Sequence, residues 1–167
     1  MMQYSKDGLH LTEYFEADGG PKLVAYKPLP NDRWTIAYGH TAGVHEGMTC
    51  TLEEAEAWLQ DDVKEAANAV NLYVKPGVTQ DEFDALVDFT FNVGITAFKT
   101  STLLAKFNDN DVQGAIDEFE KWDMSGGKHL AGLLRRRNAE RALFTLGADF
   151  SQESEPGEAQ PEPEAAQ

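Results

Sequence analysis

Two capping boxes constrain this chain more than any other feature. Thr51-Leu-Glu-Glu54 and Thr79-Gln-Asp-Glu82 each set a threonine three residues ahead of a glutamate. That spacing lets the two side chains satisfy backbone donors left orphaned at a helix start. The first box predicts a helix from residue 52. Leu52, Ala55, Leu59, Val63, Ala66 and Val70 then keep helical spacing for about 19 residues. The second opens a helix carrying Phe83, Leu86, Val87 and Phe89-Thr-Phe91, stopped by Gly94. Shorter helices are predicted over 101–107 and 111–122, the latter with Asp111 as N-cap, and a last one over 130–146 after the Gly126-Gly127 break, ending at Gly147. A first helix over 9–17 has Ser5 or Asp7 as N-cap and Leu11, Tyr14 and Phe15 on one stripe, and Gly19-Gly20-Pro21 ends it.

Residues 22–49 have a different texture. KLVAYK and RWTIAYGH alternate like strands, and PLPND and EGMT are turn signals, so this is the one β-rich part expected. The fold class expected is α+β: a small β-hairpin lobe over about 19–50 and a larger helical lobe over about 52–147 that includes helix 9–17. The long helix joins them, and a cleft between two such lobes is a natural ligand site. Residues 1–147 are read as one catalytic domain. Residues 148–167 carry six acids, three prolines and no Lys or Arg, and are expected to be a disordered tail.

Charge narrows the partners. There are 29 Asp and Glu against 14 Lys and Arg, a net −15. Without the tail the count is 23 against 14, so the body is acidic too. Such a surface argues against nucleic acid or an anionic membrane as the main partner. No run of about 18 apolar residues is present, so no membrane insertion is expected. The N-terminus has no apolar core of a secretory signal, which predicts synthesis in a cytosol and export that depends on another protein. Cys50 is the only cysteine, and His10, His40, His45 and His129 lack ligand spacing, so neither a metal nor a cofactor is expected.

Three segments can carry chemistry. Glu16 falls near the end of the first helix, where the helix dipole and apolar neighbours such as Phe15 both favour a protonated acid. By periodicity alone it lies off the apolar stripe and reads as one exposed glutamate among several. Asp32 and Thr35 sit close together in the predicted hairpin, a carboxylate and a hydroxyl able to hold a water, with His40 just beyond. Read singly, they serve the turn. Arg135-Arg-Arg137 projects in three directions, so one or two of the three can face a cleft. A buried arginine paired with a carboxylate would favour its ionised form, opposing the effect argued for Glu16.

Taken in order, several blocks resemble the phage-type lysozymes, or endolysins, of glycoside hydrolase family 24. They are Phe15-Glu16, Leu23-Val-Ala-Tyr-Lys27, Trp34-Thr-Ile-Ala-Tyr-Gly-His-Thr41, Gly47-Met48 with Thr51 and Glu54-Ala55, Phe91-Asn-Val-Gly94 with Ala97-Phe98, Ser101-Thr-Leu-Leu104, Trp122 before Gly126-Gly127, and Gly132-Leu-Leu-Arg-Arg-Arg-Asn-Ala-Glu-Arg141. The resemblance runs from about Leu9 to Gly147. It implies a lysozyme-like fold and a muramidase that cuts the β-1,4 bond between N-acetylmuramic acid and N-acetylglucosamine in peptidoglycan. It makes Glu16 the catalytic acid and Thr35 a holder of the attacking water. Asn92 and Phe91 become substrate contacts, joined by Arg136, which matches the arginine that pairs with the catalytic glutamate. It further implies a monomer, made in the host bacterial cytoplasm and released to the wall at lysis through a phage membrane pore (holin).

This chain departs from the pattern at three places. Ala17-Asp18-Gly19 reads as an insertion, which makes Glu13 the runner-up acid. Pro28 stands where the family commonly has Asp after AYK, so Asp32 takes that role from further along the hairpin or the role is absent. Ala37 replaces a glycine, which matters if backbone approaches closely there. The Pro28 departure keeps a lytic transglycosylase in view as the alternative on the same bond, and a non-catalytic peptidoglycan-binding module is the rival from another class.

Overall fold

The structure is a computed structural model, described here for residues 1–17 and 20–148. The expected tail apart from Ala148, and Asp18 and Gly19 of the expected insertion, lie outside the described residues. The chain runs α1 (Lys6–Glu16), β1 (Lys22–Tyr26), β2 (Thr35–Ala37), α2 (Leu52–Tyr73), α3 (Gln80–Val93), α4 (Ile95–Lys99), α5 (Thr102–Asn108) and α6 (Val112–Glu118). A 3₁₀ turn at Phe119–Trp122, β3 (Met124–Ser125), β4 (Lys128–His129) and α7 (Ala131–Gly147) complete it. The architecture is the α+β class expected, helical with two small antiparallel hairpins. None of the described helices is long and apolar enough to cross a membrane.

Both capping boxes form as the sequence dictates. Thr51 and Thr79 accept from the backbone of Glu54 and Glu82, and each glutamate reaches back to the cap N–H at 2.8 Å. Between them α2 runs 22 residues, about 33 Å at 1.5 Å per residue. That length lets it serve two cores. Its first half gives Ala55, Leu59 and Val63 to a cluster with Leu9, Ile36 and Tyr38 of the hairpin side. Its second half gives Ala66, Ala67 and Val70 to the helical cluster of Phe83, Phe89, Phe98, Phe119 and Phe144. At the centre of the latter is α3, with every residue from Glu82 to Thr90 buried. Phe89 meets Phe98, Phe119 and Trp122 edge to face at 5.3–6.5 Å. Phe91 packs against both clusters.

The structure corrects several expectations. The first helix begins at Lys6, because Ser5 caps it by accepting from the Gly8 N–H. Gly94 ends α3 but does not end the helical path, since its positive φ of 92° turns the chain straight into α4. The glycine pair at 126–127 is the turn of a second hairpin, so 22–49 is not the only β structure. Residues 119–122 tighten from α to 3₁₀ geometry. Ala37 sits at φ +57°, so the substitution for glycine matters through left-handed backbone, which strains any residue with a Cβ by about 1–2 kcal/mol.

The hairpin is seated on α2 by His40. Its Nδ1 lies 2.9 and 3.0 Å from the two Asp62 oxygens, and its ring stacks on Trp58 at 5.1 Å. A second junction ties α1 to α3. The Ser5 hydroxyl donates to Asp84, and the Ser5 N–H reaches Asp84 Oδ1 at 3.1 Å. One turn on, Thr12 donates to Asp88 at 2.7 Å. Asp88 is fully buried and also receives Nε and Nη2 of Arg136 from α7, both at 2.9 Å. Burial alone would lift the Asp88 carboxyl. The Arg136 guanidinium, attractive and bonded at two points, outweighs that and holds it below the ordinary carboxylate range.

Two predictions follow from this junction. At Gly8 an added Cβ would run into the Tyr4 ring and meet Asp84 Cγ at 2.9 Å. Gly8→Ala therefore destabilises by more than about 1 kcal/mol, although helix propensity alone favours alanine by about that amount. Urea unfolding measures it, and an unchanged or raised midpoint would contradict the packing. Asp88→Asn leaves Arg136 without its buried counter-charge and costs about 3–5 kcal/mol at neutral pH. Because the folded carboxyl titrates below its unfolded value, its contribution is present above about pH 4 and fades as pH falls. The variant is accordingly closest to the native protein in acid, as read by thermal melts from pH 7 to 3.

Candidate active site

The end of α1 places Phe15 and Glu16 at the mouth of a groove of about 740 Å³. The groove runs between this helix end and the start of α7, bordered by Tyr14, Asn92, Leu130 and Arg135 as well. The Glu16 side chain is 25% exposed, enough to meet a ligand. Nη1 of Arg136 donates to its Oε1 at 2.6 Å. Arg136 itself is nearly sealed, its guanidinium 5.6 Å from the Phe15 ring centroid. Three carboxylates share it: Asp88 at 2.9 Å, Glu16 at 2.6 Å and Glu140 at 3.5 Å. Burial would weaken this cation, but Asp88 and then Glu16 more than compensate, so its proton is held more tightly than usual. Asp88 already meets most of the positive charge by two bonds. Glu16 thus receives an oriented donor rather than a bare cation.

The arginine run divides as its geometry requires. Arg135 is exposed at the groove rim, Arg136 turns in to Glu16, and Arg137 is fully buried. Nη2 of Arg137 donates to Asn92 Oδ1 at 2.8 Å and to Glu140 Oε1 at 2.7 Å. Its guanidinium lies 5.0 Å from the Phe89 ring centroid. Glu140 is wholly buried, and that burial lifts its carboxyl well above the ordinary range, with Arg137 opposing and Asp88 adding.

Glu16, Asn92 and Arg136 therefore share one groove. Phe91 is half-buried and borders a neighbouring depression with Asp62 and Gly94. Asp32 is exposed in the turn of the first hairpin, its N–H bonded to Leu29 O at 3.0 Å. Thr35 is buried on β2 and donates to Arg33 O at 3.1 Å. Asp32, Thr35 and Phe91 are not among the residues lining the Glu16 groove. Glu13, the runner-up acid, is half-buried and also off that lining, and partial burial lifts its carboxyl, with His10 opposing and Glu56 adding. Another groove, about 500 Å³ between the N-terminal segment and α2, holds none of the candidate catalytic or substrate-binding residues.

Sequence reasoning missed Thr12, Asp88 and Glu140. A signal existed: Asp84, Asp88 and Asn92 recur every fourth residue along one helix, which puts three polar groups on one stripe, the first two buried and Asn92 exposed at its end. Glu140 likewise stands four residues after Arg136 and three after Arg137.

Comparison with known proteins identifies the family of this fold. The family described as "Phage lysozyme" matches residues 16–140. The endolysin of Bacillus phage B103 is 45% identical over 148 residues, covering 87% of this chain and 55% of that protein. The chain thus spans about half the length of the Bacillus phage relatives it matches. The endolysin of Acyrthosiphon pisum secondary endosymbiont phage 1 is 43% identical over 147 residues, covering 86% of this chain and 98% of that one. Among solved structures, the muramidase domain of SpmX from Asticcacaulis excentricus superposes with a TM-score of 0.77 at 39% identity, over 86% of this chain and 98% of that domain. A P22 lysozyme variant does so with a TM-score of 0.77 at 34% identity, over 87% and 99%. The match begins at Glu16 and closes at Glu140, the two carboxylates on either side of Arg136, and this chain belongs to the phage lysozyme family.

Proposed function

We propose that this chain is an endolysin of the muramidase type, hydrolysing the β-1,4 bond between N-acetylmuramic acid and N-acetylglucosamine in bacterial peptidoglycan. The observation that carries the reading is Glu16: half-open to a groove, clamped by a buried arginine, in a chain of this family. Glu16 in its protonated form gives its hydrogen to the glycosidic oxygen as the bond to the sugar breaks. Arg136 holds the carboxyl where the bridge oxygen will lie and is tied back by Asp88, so it cannot follow the substrate. Asn92 and Phe91 contact the glycan.

Thr35 and Asp32, on the opposite hairpin, are assigned to water delivery on the other face of the sugar. An inverting reaction with that arrangement needs carboxyl groups roughly 6.5–9.5 Å apart. The catalytic domain is assigned to residues 1–147, acting as a monomer on glycan strands. Release from the host cytoplasm at lysis is assigned to a phage membrane pore.

A second reading has one observation in its favour. Pro28 occupies the position after Ala25-Tyr-Lys27, and Asp32 is solvent-exposed in the turn. A lytic transglycosylase needs no second carboxylate, because the sugar's own 6-hydroxyl attacks. Mass spectrometry of the released fragments separates the two. Reducing ends are expected, and 1,6-anhydro ends would replace hydrolysis with transglycosylation.

Glu16→Gln keeps an oxygen for Arg136 but has no proton to give. Lysis of purified walls should drop by about 10²-fold or more while the melting temperature stays near native. A wild-type rate in this variant would remove Glu16 from the mechanism. The net −15 also opposes approach to anionic wall polymers over long range. Initial lysis rates should therefore rise between about 10 and 100 mM salt as the screening length falls from about 30 to 10 Å. A monotonic decline with salt would contradict that repulsion.

A further inference from the structure

Asn92 stands exposed at the edge of the Glu16 groove, yet its amide is not free to turn. Its Oδ1 accepts from Arg137 Nη2 at 2.8 Å. A guanidinium has no acceptor, so only the amide oxygen can face it. The same Nη2 spends its other hydrogen on Glu140 Oε1 at 2.7 Å. Arg137 and Glu140 are both fully buried, and Phe89 packs under the guanidinium. Nε and Nη1 of Arg137 have no partner among the described residues, so Asn92 and Glu140 are the acceptors its guanidinium has, and a flipped amide would set donor against donor at buried Nη2.

We infer that Arg137 is a positioning residue that locks the Asn92 side chain with its oxygen inward, so that Asn92 offers the groove N–H donors alone and selects an acceptor-only oxygen on the glycan, the acetamido carbonyl of an N-acetylated sugar. The identity of that ligand rests on the muramidase reading. The locking does not, because it follows from the donor count of Arg137. Hydroxyls both give and accept and would tolerate either face of the amide. A carbonyl oxygen tolerates only the donor face, and this makes the lock a device of selectivity.

Four variants test it on soluble peptidoglycan fragments, with kcat and KM from turnover and Kd from calorimetry. Asn92→Asp keeps the bond to Arg137 and replaces the groove-facing donor with an acceptor. KM and Kd should rise about tenfold, the loss of one hydrogen bond to a buried partner, while kcat changes less than about threefold and the melting temperature does not fall. Arg137→Met removes the guanidinium and frees the amide while leaving in place Glu140, which also lies 3.5 Å from Arg136, and the melting temperature reads what the buried change costs the fold. KM should rise about threefold, and Arg137→Met should add nothing in an Asn92→Ala background, since Arg137 acts through Asn92. On de-N-acetylated glycan the native advantage over Asn92→Ala should vanish.

A native KM and Kd in Asn92→Asp, or additive losses in the Arg137→Met, Asn92→Ala double variant, would overturn the lock. Binding without cleavage by the native protein would sink the muramidase reading alone, and Kd would still decide the lock. Neither binding nor cleavage by the native protein would sink both.

Discussion

The guanidinium of Arg136 is where three helices meet. It sits on α7, binds Asp88 of α3 at two points, and extends its remaining nitrogen to Glu16 at the end of α1. A buried cation of this kind is costly unless its geometry is nearly complete. Asp88 completes it, and Thr12 donates to the same carboxylate, which brings α1 into the arrangement a turn before Glu16. The polar junction thus does what an apolar contact would not. It fixes the register and direction of α1 relative to α7, and with them the place of one carboxyl in the groove.

The surrounding core makes that junction affordable. The aromatic cluster of Phe89, Phe98, Phe119 and Phe144 is centred on α3, whose Asp84 and Asp88 are buried. Low local polarity strengthens the Asp88–Arg136 bonds and lifts Glu140. Two neighbouring carboxyls, one on α3 and one on α7, are thereby pushed in opposite directions, Asp88 by a cation bonded at two points and Glu140 by burial. The long helix α2 contributes by spanning both clusters, so the hairpin side and the helical side share one rigid strut.

How much of this the sequence displays depends on whether a signal is local. Capping boxes are local, and α2 and α3 begin at the residues they specify. Strand texture is local, and β1 and β2 lie inside KLVAYK and RWTIAYGH. The α4 helix is only five residues long, too short to show a period, and the glycine before it reads as a stop. The second hairpin has two-residue strands, below any alternation signal. Ala37 looks conservative as a letter, and only its positive φ shows why glycine suits the position. At the site, Glu16 is invisible to periodicity, because it falls off the apolar stripe and owes its setting to Arg136, 120 residues away. The resemblance supplied that pairing, whereas Asp88, Glu140 and the Arg137–Asn92 bond emerge only once α3 and α7 are packed together.

The central claim is that Arg136 positions Glu16 by planar, two-sided bonding and not merely by charge. Arg136→Lys tests it most directly, because lysine keeps the charge and can reach Asp88 but cannot bridge two carboxyls in a fixed fork. The decisive quantity is kcat on soluble peptidoglycan fragments in the folded variant. The account predicts a fall of at least about tenfold, as expected when an acid is displaced by a fraction of its working distance. A lysine variant that turns over at the native kcat would show that the carboxyl needs no such clamp.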